Sequence, residues 1–194
     1  MTETLPPADP RYTRVARALH WIIAALIVAQ LVGGFVMHKL PNSASFKVEA
    51  YQMHKSFGLI VLALSLARLA WRLTHRPPPL PAGMVAWEVW LARLTHIAFY
   101  GLMIGVPLAG WLMISASPYP SSFLFLFDIP KLPVIGDAAF WAETHEVMAK
   151  LTAGLLVLHV AGALKHRYKD GHDVIGRMWP VGDRKAAKPI GDLR

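Results

Sequence analysis

The sequence contains no cysteine among its 194 residues. This absence excludes disulfide bonds, thiolate metal ligands and iron–sulfur clusters. It also excludes a covalently attached c-type haem, which needs a C-x-x-C-H motif. A metal bound to this chain must therefore be held by histidine, methionine or carboxylate side chains. Histidine is the best supplied of these, with nine residues.

Charged residues are also scarce. They make up 16% of the chain and apolar residues 55%, whereas a soluble domain usually has about 25% charged residues. This composition indicates a single integral membrane domain. Residues 1–21 carry no charged-then-apolar leader that ends in a small-residue cleavage site. We therefore expect the first apolar run to be retained as a membrane span.

Four apolar segments are each long enough to cross a bilayer, which takes about 20 helical residues. They lie at about residues 16–38, 51–73, 90–115 and 142–164. They lack the period-2 alternation of barrel strands, and otherwise only helices satisfy their own backbone within lipid. We predict an all-α, integral membrane four-helix bundle over residues 10–180, followed by a polar cytoplasmic tail at 181–194.

Two further segments are not predicted to span the membrane. Residues 121–133 are apolar but short, and Asp128, Pro130 and Pro133 interrupt them. We interpret this stretch as an interfacial loop. The chain after residue 168 is polar, and we expect it to be mobile.

The basic residues predict the orientation. If both termini lie on one side, 15 of the 20 lysine and arginine residues fall on that side. The other five are Lys39, Lys47, Lys55, Lys131 and Lys150. The positive-inside rule then places both termini in the cytoplasm. Five acidic residues balance the outer lysines, so the net charge of +8 lies inside. Anionic lipid headgroups account for it there without nucleic acid.

Four histidines within or near the ends of the spans form a geometric pattern. His145 and His159 are 14 residues apart, which puts them on one helix face and about 21 Å apart along its axis. His20 lies near the inner end of the first helix and His54 near the outer end of the second. Matching depths pair His20 with His159 and His54 with His145. A flat haem needs one ligand from each side, and each pair supplies one imidazole from each of two facing helices. The two pairs therefore suit two bis-histidine haems.

The same 14-residue interval links other residues to these histidines. Gly34 follows His20 by 14 residues, and we expect it to leave space at the depth of the outer haem. Arg68 follows His54 by 14 residues, at the depth expected for a propionate or quinone headgroup of the inner site. Gly58, one turn after His54, is expected to clear space beside the outer ring. Alternatively, the glycines allow close helix packing and Arg68 extends to the inner surface.

His96 has no evident counterpart. It lies near the depth of the inner site, and contact with a propionate, a quinone site, proton transfer and replacement of an assigned ligand all remain open. Direct ligation is disfavoured because the third helix offers no second histidine for the outer site. The remaining histidines near helix ends are interpreted as interfacial: His38, His75, His166 and His172.

The sequence resembles the bacterial cytochrome b561 family over about residues 10–180. The resemblance is carried by RALHW around His20, MHKSFG around His54, THE around His145 and GLLVLHVAGALKHRY around His159, together with LARLAWRLTHRPPPLP and LTHIAFYGL. It implies a four-helix bundle in the bacterial inner membrane, with two haems b and electron exchange with the quinone pool. On this resemblance, the four histidines match the haem ligands.

The resemblance also implies a reaction, because one activity described in the family is superoxide oxidation coupled to ubiquinone reduction. A surface that collects superoxide should be basic, and the outer charges cancel unless lysines cluster locally. Arg68, Arg17 and Lys55 are candidate propionate contacts. The expected partners are lipid, quinone and a small-molecule or protein electron donor. The alternatives are a relay subunit that anchors a dehydrogenase, hydrogenase or soluble cytochrome, and a transporter or structural bundle without haem.

Overall fold

The structure is a computed structural model that describes residues 11–81 and 83–179. The described chain contains five helices and two short strands. The helices are α1 (Arg14–Lys39), α2 (Lys47–Thr74), α3 (Ala86–Ser115), α4 (Ala138–Tyr168) and α5 (Val174–Met178), and the strands are β1 (Ser122–Phe123) and β2 (Phe127–Asp128). The polar tail expected at 181–194 lies outside the described residues.

Helices α1 to α4 are each long and apolar enough to cross a membrane, which confirms the four predicted spans. Large apolar side chains cover much of their outer surface; Val32, Ile97 and Val157, for example, are each at least 58% exposed. A soluble monomer rarely exposes apolar patches of this extent. The exposed surface is therefore explained by contact with lipid.

Small residues allow the helices to approach one another. Ser56 and Ser65 on α2 are completely enclosed, as expected where small side chains bring membrane helices together. α2 packs between α1 and α3, and α4 packs along α3. No comparable backbone interface joins α1 and α4 in the described chain. Side chains from these two helices can therefore meet across an interior space.

The loop between α3 and α4 is a small hairpin, not a fifth helix, as predicted. β1 pairs antiparallel with β2, so that Ser122 faces Asp128. The turn contains Leu124 and Phe125 at positive φ, and the Leu124 amide donates to Ser56 Oγ over 2.8 Å. The loop is thereby fixed over the end of α2 where that helix begins.

The segment after α4 folds back onto the start of the chain. Arg11 Nη2 donates to the Gly176 carbonyl over 3.1 Å, Arg17 Nη1 to the Trp179 carbonyl over 3.0 Å, and Trp21 Nε1 to the Met178 carbonyl over 2.7 Å. The expectation of a mobile chain after residue 168 is therefore wrong for residues 169–179. Backbone carbonyls accept these bonds, and they have no sequence signature.

Candidate functional site

Two pairs of histidines face each other inside the bundle. The ring centroids of His54 on α2 and His145 on α4 are 6.2 Å apart, with ring planes at 78°. Those of His20 on α1 and His159 on α4 are 6.3 Å apart, with planes at 66°. The pairs lie toward opposite ends of α4, and they are the two pairs that the sequence spacing predicts. We name His54–His145 the outer pair and His20–His159 the inner pair, after the predicted orientation.

The separation within each pair suits an ion between the rings. A histidine nitrogen lies about 2 Å from a bound first-row metal ion, so two imidazoles on opposite faces of one iron have centroids about 6 Å apart. The observed separations of 6.2 and 6.3 Å agree with this value. The four histidines could therefore hold two flat metal cofactors without a change of backbone.

The hydrogen bonds of these rings also fit a ligand role. His145 Nδ1 lies 2.8 Å from the Val106 carbonyl, which can only accept, so this ring donates from Nδ1 and keeps Nε2 free. Metal-binding histidines are commonly oriented in this way. His20 Nδ1 and His54 Nδ1 are buried without a hydrogen-bond partner in the described chain. A histidine with a purely structural role in a core would normally have such a partner.

Glycines lie against both rings of the outer pair. A Cβ on Gly34 of α1 would lie 3.3 Å from His54 Cε1, and a Cβ on Gly110 of α3 would lie 3.1 Å from His145 Nδ1. Gly110 was missed in the sequence, although it follows His96 by the same 14-residue interval that identified Gly34. Because both distances are tighter than ordinary contacts, a side chain at either position would push on a ring.

Gly58 has a different neighbour from the one expected. The atom nearest to a Cβ at this position is Gln30 Nε2 of α1, at 3.4 Å, and not an atom of the His54 ring. The same Gln30 nitrogen donates to the His54 carbonyl over 2.8 Å. Gly58 therefore makes room for a bond between α1 and α2, and Gln30 joins the residues that sequence reasoning missed.

His96 joins the inner pair. Its ring centroid is 5.7 Å from that of His159, with planes at 86°, and its Nδ1 lies 2.6 Å from the Ala92 carbonyl one turn earlier. Phe99 packs edge-on against the other side of this cluster, 5.3 Å from His159. The inner cluster therefore contains three imidazoles, His20, His96 and His159, whereas the outer pair contains two.

The three candidate propionate contacts have different surroundings. The guanidinium of Arg68 lies 5.8 Å from the Tyr100 ring centroid and lines a cavity at the inner end of the bundle. Arg17 is buried; its Nη1 bonds to the Trp179 carbonyl and its Nε has no described partner. Lys55 Nζ donates to Ser121 Oγ over 2.9 Å, so it ties α2 to the outer hairpin.

An apolar cavity lies between the outer halves of α1 and α2. Its volume is about 350 Å³, and His54 and Gln30 supply its polar lining, whereas the other lining side chains are apolar or glycine. His54 of the outer pair therefore borders a space that is suited to an apolar molecule.

An ion-pair cluster joins the start of α3 to the end of α4. Lys165 Nζ lies 2.5 Å from Glu88 Oε1 and 2.7 Å from Asp170 Oδ2, and His166 Nδ1 lies 2.8 Å from the same Asp170 oxygen. The hydrogen bond from Lys165 lowers the pKa of Asp170 below its ordinary value, and His166 adds to this effect. Glu88, His166 and Asp170 also have metal-ligand chemistry, but the Lys165 ammonium already pairs with both carboxylates.

Four membrane-length helices with facing imidazole pairs place this chain in the class of helical membrane proteins whose interior can hold a metal cofactor. The family model of the prokaryotic cytochrome b561 matches residues 11–181. The chain therefore belongs to the prokaryotic cytochrome b561 family. Its members are membrane electron-transfer proteins that bind haem b, which implies haem and iron here.

Known relatives cover nearly the same region. The chain is 30% identical over 173 residues to cytochrome b561 homolog 2 of Escherichia coli (strain K12). That alignment covers 87% of this chain and 90% of that protein. It is 25% identical over 175 residues to the probable superoxide oxidase CybB of Yersinia pestis. That alignment covers 88% of this chain and 96% of that protein. It is 27% identical over 165 residues to cytochrome b562 of Cereibacter sphaeroides. That alignment covers 82% of this chain and 89% of that protein.

Proposed function

We propose that this chain is a dihaem oxidoreductase that passes single electrons between a donor on the outer side and the membrane quinone pool. The observation that carries the proposal is the presence of two facing histidine pairs, at 6.2 and 6.3 Å, toward opposite ends of one bundle. Each haem b, when bound, supplies one-electron redox chemistry. Two such sites in sequence would connect the two sides of the membrane.

We assign His54 and His145 as ligands of the outer haem and His20 and His159 as ligands of the inner haem. With a histidine on each side of a bound haem, a substrate would exchange electrons with it without binding the metal. The protein then contributes placement and the electrostatic environment. The Val106 carbonyl orients His145. Arg68 and Arg17 remain candidates for the inner propionates, because Arg68 is an electrostatic neighbour of His20 and Arg17 precedes His20 by one turn of α1.

The proposed orientation has both termini in the cytoplasm of a bacterial inner membrane. The Tyr12 amide donates to the Arg177 carbonyl over 3.3 Å, so the two ends of the described chain lie on the same side. The excess of basic residues on that side supports the cytoplasmic assignment. The outer histidine pair then faces the donor side and the inner pair the cytoplasmic side.

Quinone as acceptor is supported by a space that lipid-soluble molecules can use. The apolar cavity beside His54 and Gln30 has a volume of about 350 Å³. It lies between the outer halves of the membrane-spanning helices α1 and α2. Apolar walls with a few polar groups are typical of small-molecule sites. The Gln30 amide and the His54 ring are the polar groups that a quinone headgroup would meet there.

Superoxide as donor is supported by the similarity to the probable superoxide oxidase of Yersinia pestis. The charges of the outer side do not add to this support. Five acidic residues balance the five lysines of that side, and Lys150 pairs directly with Glu146 at 2.6 Å. A second candidate function is therefore an electron-relay subunit that receives electrons from a protein partner, because protein contact does not require a field that attracts anions.

One experiment tests both candidates. The chain is purified alone with its haem, and ubiquinol formation is measured while superoxide is generated enzymatically. Quinone reduction without any partner supports the oxidoreductase. A loaded cytochrome that superoxide leaves oxidised, but that a membrane dehydrogenase reduces, supports the relay. Absence of Soret and α bands after haem-replete expression would overturn both assignments.

A further inference from the structure

A second cavity lies at the inner end of the bundle, where α1, α2 and α3 meet. Its volume is about 240 Å³, which is several times the space of about 30 Å³ that one water occupies. Trp71 and Tyr100 form part of its wall, and such aromatic side chains are typical of the boundary between lipid and water. The cavity therefore lies at the depth of lipid headgroups.

Arginine dominates the polar lining of this cavity. Arg68 and Arg72 lie on α2 one turn apart, Arg76 follows just after that helix ends at Thr74, and Arg11 reaches the cavity from the other end of the chain. None of the described residues that line the cavity is acidic. Like charges one helical turn apart destabilise each other. A bound anion would reduce the repulsion among the four guanidinium groups around this space.

The members of this set are not equivalent. Arg68 lies deepest and faces the inner histidine cluster, where we have proposed a propionate contact. Arg11 Nε and Nη2 both bond to the Gly176 carbonyl. Arg72 and Arg76 are exposed, and no hydrogen bond or ion pair to either side chain is found in the described chain. These two guanidinium groups are thus available to a ligand that enters from the membrane surface.

We infer that this cavity binds the phosphate group of an anionic phospholipid from the surrounding leaflet. Guanidinium groups donate paired hydrogen bonds to phosphate oxygens, and the aromatic wall supplies contacts for the glycerol and upper acyl chain. Anionic lipids are concentrated on the cytoplasmic side, where the basic residues of this chain are proposed to lie. The inference does not depend on haem ligation, because Arg72 and Arg76 are separate from the histidine pairs.

The test uses the holoprotein in nanodiscs that contain phosphatidylcholine and a minor share of phosphatidylglycerol. After detergent extraction, the lipids that remain on the protein are identified and counted by mass spectrometry. We expect about tenfold enrichment of phosphatidylglycerol on the unmodified protein, which corresponds to about 1.4 kcal/mol. Arg72→Gln/Arg76→Gln should abolish the enrichment and leave the haem content and visible spectrum unchanged.

A matched variant controls for net charge. Arg93→Gln/Lys169→Gln removes two exposed basic residues from the same end of the bundle, and neither lines the cavity. We expect this variant to retain the enrichment. Arg72→Lys/Arg76→Lys keeps the charge without the paired donors, and we expect it to retain only part of the enrichment.

Three results would overturn the inference. The first is equal retention of both lipids by the unmodified protein. The second is a loss of enrichment in the control variant as large as in the cavity variant, which would indicate general surface attraction. The third is an altered haem spectrum with unchanged lipid retention in the cavity variant, which would assign the cavity to propionates. A further arm adds inorganic phosphate to the bulk solution; displacement of the lipid at millimolar concentration would favour a soluble phosphate as the occupant.

Discussion

The outer and inner histidine pairs have almost the same separation but very different surroundings. At the outer pair, glycines lie against both rings and a backbone carbonyl orients His145. At the inner pair, a third histidine lies next to His159, Arg68 is close by, and residues 171–179 cover the end of the bundle. The outer site is thus defined by steric fit, whereas the inner site is defined by polar and charged neighbours. Changes in side-chain volume should affect the first, and changes in charge the second.

The largest expected effect comes from the ligands themselves. His54→Ala should remove about one haem per chain at the outer site, and His20→Ala about one at the inner site, because a flat cofactor loses one of its two axial bonds. The double variant should retain none. A pyridine haemochrome assay against protein concentration measures the ratio. His38→Ala is the control, since that exposed histidine belongs to neither pair. Full haem content in the double variant would refute the assignment of both pairs.

The steric character of the outer site is tested on α3. Gly110→Ala would place a Cβ 3.1 Å from His145 Nδ1, and overpacking of this kind costs about 1–3 kcal/mol. We expect faster loss of the outer haem to an apo-globin acceptor, with the inner haem unaffected. Gly101→Ala, on the same helix, meets no atom within 4 Å and should leave both rates unchanged. Equal effects of the two substitutions would show that the close approach has no role.

The third histidine of the inner site, His96, is tested by its own substitution. His96→Phe should leave about two haems per chain, because His20 and His159 already supply two axial ligands. It should change the redox midpoint of only one haem, since a polar neighbour is lost at one site. A spectroelectrochemical titration resolves the two midpoints. Loss of one haem would instead identify His96 as a ligand in place of His20.

The smallest expected effect concerns the ion-pair cluster at the inner end. The pKa of Asp170 is lowered by Lys165, so the folded carboxylate binds protons less readily than the unfolded one. Its contribution to stability is therefore full above the ordinary Asp pKa and is lost as the pH falls through the lowered value. The difference in thermal midpoint between the unmodified chain and Asp170→Asn should shrink below about pH 4. Added salt should also reduce it, because the cluster is only partly buried and ions screen charges that solvent can reach. A constant difference from pH 7 to pH 3 would refute this account.

Much of this architecture could be predicted from the sequence. Hydropathy identified the four spans, because a bilayer imposes one length and one polarity on each helix. The 14-residue interval between His145 and His159 predicted which histidines meet. The position of His96 was not determined, since helix rotation decides whether it faces His159 or lipid. The docking of residues 174–179 could not be anticipated, because its acceptors are backbone carbonyls. Gln30 was missed because its bond to the His54 carbonyl depends on how closely α1 approaches α2.

The fold-back of residues 171–179 has a consequence for biogenesis. Arg11 and Gly176 are separated by 165 positions in the chain, so this contact forms only after all four long helices have been synthesised. Trp21, next to His20, gains its Met178 partner at the same late stage. During synthesis we therefore expect the end of the bundle beside Trp21 to stay open until these contacts form. A cofactor that enters from that end would have to do so before residues 174–179 dock.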